Sequence, residues 1–92
     1  MCTMIAQQVK IMGRGKSGLE WFDVREANVS YDHPYDLPLE HALNIDFVNS
    51  ALGPGARVAV ELTLQSAKEL SSALTRAIEA AEVEESARLR KV

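Results

Sequence analysis

Two histidines stand eight residues apart, His33 in Tyr31-Asp32-His33-Pro34 and His41 in Leu39-Glu40-His41-Ala42, and each follows a carboxylate. Imidazole changes charge near neutral pH and is the commonest metal-binding side chain. An adjacent Asp32 or Glu40 suits the orientation of such a ring or the supply of a further ligand. Two chemistries follow. One is acid–base catalysis by His33 and His41. The other is capture of a divalent transition metal by His33, His41 and Glu40, with the thiol of Cys2 as a softer ligand. The plain alternative is that both rings close one end of a sheet and bond to loop backbone.

Cys2 is a candidate in its own right. Its small side chain permits removal of Met1, which would set a free α-amine beside the thiol, a pair suited to nucleophilic attack or soft-metal chelation. The alternative is an idle thiol at the start of a strand. A third set, Asn44, Asp46, Glu61 and Thr63, alternates outward along two segments. If those segments are neighbours and a dimer buries that face, Asp46 and Glu61 would share a proton, with one pKa raised. Arg57 would instead neutralise them, and on a solvated face the set is ordinary.

The stretch Gly13-Arg14-Gly15-Lys16-Ser17-Gly18 matches G-x-G-x-x-G and contains Gly-Lys-Ser. A dinucleotide fingerprint opens a helix, whereas Leu19–Val24 reads as strand. A phosphate-binding P-loop needs glycine at position 10, which is Lys10. The expectation is a hairpin loop that contacts at most an anion.

The elements that must position these residues follow from two-residue alternation and turn chemistry. Strands are expected over about 3–12, 20–33, 40–48 and 57–64. The last is the most regular, with Val58, Val60, Leu62 and Leu64 alternating against Ala59, Glu61 and Thr63. In the second, apolar residues move from even positions (Phe22, Val24) to odd ones (Ala27, Val29, Tyr31), which calls for a β-bulge near Arg25 or Glu26. Ser66, with Glu69 three residues on, reads as a capping box opening a helix over about 67–88. Leu70, Leu74, Ala77, Ile78 and Ala81 fall on one helical face. The fold class is α+β, a four-stranded antiparallel sheet (ββββα) with one C-terminal helix on one face, in a single domain over 1–92. By parity His33 and His41 share the surface of Leu43, Ile45 and Phe47, in a register that pairs His33 either with His41 or two residues off, so that Tyr31 faces His41.

Ninety-two residues at 47% hydrophobic and 25% charged are those of one ordinary globular domain. A net charge of −3 and a pI near 5.3 speak against nucleic acid as a partner. The apolar runs are too short to span a bilayer, no secretory leader is visible, and one cysteine forms no internal disulfide, so a cytoplasmic setting is expected. A sheet about 19 Å wide is only half covered by a helix about 10 Å across. The uncovered apolar area favours a homo-oligomer, most simply a dimer.

Met1-Cys2-Thr3-Met4-Ile5, Tyr31-Asp32-His33-Pro34, the block Leu39–Asn49 and Gly53-Pro54-Gly55-Ala56-Arg57-Val58-Ala59-Val60-Glu61-Leu62 together resemble a small uncharacterised family of actinobacteria. The resemblance implies a bacterial cytosolic protein and, by the company of the organism, specialised metabolism. It draws attention to Cys2, His33, His41, Asn44 and Asp46. These readings combine into a His-centred small-molecule or metal site, as an acid–base or metal-assisted enzyme. The alternative is a non-catalytic, self-associating protein-interaction module.

Overall fold

The computed structural model describes residues 5–90, so Cys2 and the first residues expected in strand one lie outside the described residues. The described residues form a four-stranded antiparallel sheet in the order β1-β2-β3-β4, followed by one helix. The strands are β1 (Ile5–Ser17), β2 (Glu20–Asp32), β3 (Ala42–Val48) and β4 (Arg57–Leu62), and the helix is α1 (Leu64–Arg90). The fold class is the expected one. Each strand pairs with its neighbours in sequence, so every connection is short.

β1 is longer than its alternation suggests. The expected loop over 13–18 is mostly strand: Gly13, Arg14, Gly15, Lys16 and Ser17 pair with Val24, Asp23, Phe22, Trp21 and Glu20. Only Gly18 and Leu19 turn the chain, and Gly18 has φ +64°, the positive value that glycine accepts at the first position of a two-residue hairpin turn. Gly15 is glycine for a different reason. A Cβ there would lie 2.9 Å from Cγ2 of Val24, because the hairpin coils and its two strands crowd on the inner side. Of the glycines that read as a break, Gly15 thus serves close approach within a ladder and Gly18 the turn.

The register shifts by one between Lys10 and Gly13, where Ile11 and Met12 of β1 stand opposite Arg25 of β2. The bulge lies at the expected level, but β1 supplies the extra residue. Beyond it the sheet coils enough to bring β1 towards β4, the opposite end of the strand order. An apolar groove of about 280 Å³ opens on the inner side, lined by Ile11, Gly15, Val24, Phe47 and Val58 among others.

The buried apolar residues, among those described, are Val24, Ala27, Ala42 and Ala56. They are small, and none of the described large side chains is fully buried. Asn49 is the buried polar residue, at 6% exposure. Its Nδ2 donates to the carbonyl of Asp23 (3.0 Å) and its Oδ1 accepts from the Ala51 amide (3.1 Å), tying the 3-10 turn Ser50–Leu52 to β2.

α1 starts earlier than the Ser66–Glu69 pattern suggests. Thr63 is the cap: its hydroxyl accepts the Ser66 amide (3.0 Å) and its carbonyl accepts the Ala67 amide (2.9 Å). That ends β4 at Leu62, so Leu64 belongs to the helix and not to the strand. The helix also does not lie on the face of its own sheet. Apart from half-buried Ala67, its residues through Leu89 are exposed, with Leu70, Leu74 and Ile78 at 49%, 58% and 51%. A single residue joins strand to helix, fewer than the two to six that connections between packed strands and helices normally use. The cap therefore fixes α1 along a line leaving the sheet, and the chain spans 56 × 31 × 22 Å.

Candidate functional site

The histidines flank the connection between β2 and β3. Tyr31 pairs with Leu43 and Asp32 with Ala42, the register that carried one step further sets His33 opposite His41. The rings meet as parity predicts. His33 and His41 stack with centroids 4.8 Å apart and planes 24° from parallel, and His41 stacks in turn on Tyr31 at 5.3 Å and 24°. The result is a three-ring ladder, Tyr31–His41–His33, with His41 half-buried and His33 exposed.

This geometry bears on which chemistry the pair offers. A metal binds in the plane of an imidazole, about 2.0–2.1 Å from nitrogen. Planes this close to parallel intersect only on the order of 10 Å from the rings, so the stacked pair does not aim two lone pairs at one ion of normal bond length. Among the described residues no group of three or more His, Cys, Asp or Glu is placed to hold a metal. Asp32 accepts a hydrogen bond from the backbone amide of His33 (2.7 Å), and Glu40 is exposed on the connecting loop. Cys2 lies outside the described residues.

On the polar face β3 and β4 are neighbours, with Asn44 paired to Glu61 and Asp46 to Ala59. In the single chain the two carboxylates there are each held by their own donors. Oδ1 of Asp46 accepts from Nε and Nη2 of Arg57 at 2.9 and 2.8 Å. Glu61 accepts three backbone amides from the loop after His33: Tyr35, Asp36 (2.9 Å) and Leu37 (3.0 Å). Those amides, Tyr35 foremost and then Leu37 and Asp36, hold the Glu61 carboxyl below its ordinary value of 4.5, the opposite direction from a shared-proton pair. Glu61 thus seats the Pro34–Pro38 loop on the polar face. Its outward position in β4 is visible in the sequence; its amide partners, some 25 residues away along the chain, are not.

A cleft of about 180 Å³ lies along this face, bordered by Asp32, His33, Asn44, Asp46, Arg57 and Glu61 among others. Asn44 donates from Nδ2 to the carbonyl of Asp32 (3.3 Å), and its Oδ1 is buried without a hydrogen-bond partner. At the far hairpin, Arg14 pairs with Asp23 at 2.8 Å and lowers that carboxyl, first through the hydrogen bond and then through its charge. The Gly13–Gly18 stretch is thus an ordered strand and turn, not the opening of a helix.

An α+β chain with a meander sheet, a projecting helix and a stacked histidine pair is what these observations define. The chain belongs to the Family of unknown function (DUF6295), which matches residues 1–87. No curated protein and no solved structure matches it. Among the described residues no helix is long and apolar enough to cross a membrane.

Proposed function

We propose that the protein is a non-catalytic, self-associating module that functions as a homodimer. The observation that carries this reading is the surface of the single chain, 7495 Å². A folded monomer of 10.1 kDa exposes only about 5,300 Å² by the scaling of area with mass, an excess of about 2,200 Å². The radius of gyration, 16.2 Å, exceeds in the same sense the roughly 12 Å of a compact 92-residue domain. Obligate dimers bury about 1,000–2,500 Å² per partner, so a second copy absorbs the excess. Much of the surplus is apolar: Ile5, Val9, Leu70, Leu74 and Ile78 are all about half exposed. Light scattering of the untagged protein is expected to give twice the chain mass across micromolar concentrations. A monomer throughout overturns the reading.

A second reading keeps the histidine pair as a small-molecule site, with His33 and His41 as acid and base and Asp46 or Cys2 assisting. The stacked pair, of which His33 borders the polar cleft together with Asn44 and its unpartnered Oδ1, supports it. In its metal-assisted form, with Glu40 or Cys2 completing the ligands, one ring leaves the stack to bind. Metal content and ligand binding of untagged wild type against His33→Ala/His41→Ala test this reading. A difference is expected, and equal values end it.

A further inference from the structure

We infer that the second copy binds by helix exchange: α1 of each chain lies on the apolar face of the partner's sheet. The inference rests on the self-association above and adds which surfaces meet. Two surfaces of one chain lack cover at once. One is the stripe of α1, where Leu70, Leu74 and Ile78 are 49–58% exposed. The other is the sheet face on which β2, β3 and β4 align Val29, Ile45 and Val60 in one row and Tyr31, Leu43 and Leu62 in the next, all only half-buried.

A helix-to-helix contact would cover the stripe and leave the sheet face wet. Exchange covers both with one contact, made twice by two-fold symmetry. The junction points the same way. Thr63 is at once the residue after β4 and the helix cap, so α1 has no slack to fold back on its own sheet. The stripe from Ala67 to Ala81 is about 21 Å long at 1.5 Å per residue, enough to cross the aligned rows. Ala67, Ala77 and Ala81 on that stripe allow the helix to approach the sheet closely.

The test uses the full chain with Cys2→Ser, so that introduced thiols pair only with each other. Val60→Cys chains are mixed with Leu70→Cys, Leu74→Cys or Ile78→Cys chains, distinguishable by mass, then equilibrated and oxidised. Exchange predicts a disulfide between a Val60→Cys chain and a helix-cysteine chain for at least one of the three. Helix-cysteine chains that cross-link only to each other overturn exchange while leaving the dimer. So does closure within one chain of a Val60→Cys/Leu74→Cys double variant, or no cross-link in a protein of dimer mass. A monomer by light scattering overturns the underlying self-association instead.

Complementation provides an independent reading. Leu74→Glu and Val60→Glu are each expected to halve the mass alone, and mixing them should restore a dimer through the one intact helix-on-sheet contact. If Val60→Glu alone stays dimeric, the sheet face is not in the interface. If Val60→Glu does not fold, the cross-linking result decides.

Discussion

Asn49→Ala tests how the sheet is held together, because Asn49 is the buried polar side chain that joins two distant parts of it. Its amide donates to Asp23 in β2 and its oxygen accepts from Ala51, in the 3-10 turn that precedes β4. Truncation leaves one carbonyl and one N–H without these partners at a site 6% exposed. A fully desolvated group so abandoned costs about 1–3 kcal/mol, but Asp23 and Ala51 are themselves exposed, so each falls near the low end and the total is about 2–3 kcal/mol. For a domain of this size that lowers the melting temperature by roughly 10–20 °C. Urea unfolding followed by circular dichroism measures it, at fixed protein concentration because association shifts apparent stability. The midpoint should fall with the slope unchanged. Asn49→Asp keeps the acceptor for Ala51 but turns a buried carboxylate oxygen towards the Asp23 carbonyl, so at neutral pH it should be at least as destabilising as the alanine variant. An alanine variant within about 0.5 kcal/mol of wild type would refute this account, since that is the range of an ordinary surface change.

Gly15→Ala should lower the melting temperature, because its Cβ meets Val24 at 2.9 Å, whereas Gly13→Ala, with open space at its Cβ, should not; thermal melts of the pair check this. Glu61→Gln addresses pH. The folded carboxyl titrates below its ordinary 4.5, so its contribution is present above that value and is lost as pH falls through the folded pKa. The stability gap between wild type and Glu61→Gln should therefore be widest above about pH 4.5 and close in acid; a gap that grows on acidification contradicts the amide contacts. Loosening of the Pro34–Pro38 loop in the same variant should appear as faster amide exchange at Asp36 and Leu37. Removing the Thr63 cap with Thr63→Ala should cost about 0.5–2 kcal/mol, read by urea unfolding.

Strands whose alternation is clean were legible from the residues. β4, with Val58, Val60 and Leu62 inward, and β3, with Leu43, Ile45 and Phe47, keep the expected alternation, though β3 starts two residues late at Ala42 and β4 ends two residues early at Leu62. The histidine pair was legible for the same reason: parity put both rings on one surface, and one of the two allowed registers is the one that forms. Less was readable where a residue's role depends on something distant. Gly15 looked like a loop glycine because the side chain it avoids, Val24, belongs to the facing strand. Thr63 looked like the end of a strand because capping competes with the ladder and nothing local says which prevails. Asp46 and Glu61 looked like a pair on one face, but each is claimed by a nearer or better-aligned donor, Arg57 in one case and loop amides in the other. Whether a helix lies on its own sheet is likewise a matter of linker length and exit direction, which an amphipathic pattern does not encode.

Because the strand order follows the chain order, every ladder of the sheet joins strands that are neighbours along the chain. Such local pairings close only short loops, so little chain entropy is lost before each strand pair forms.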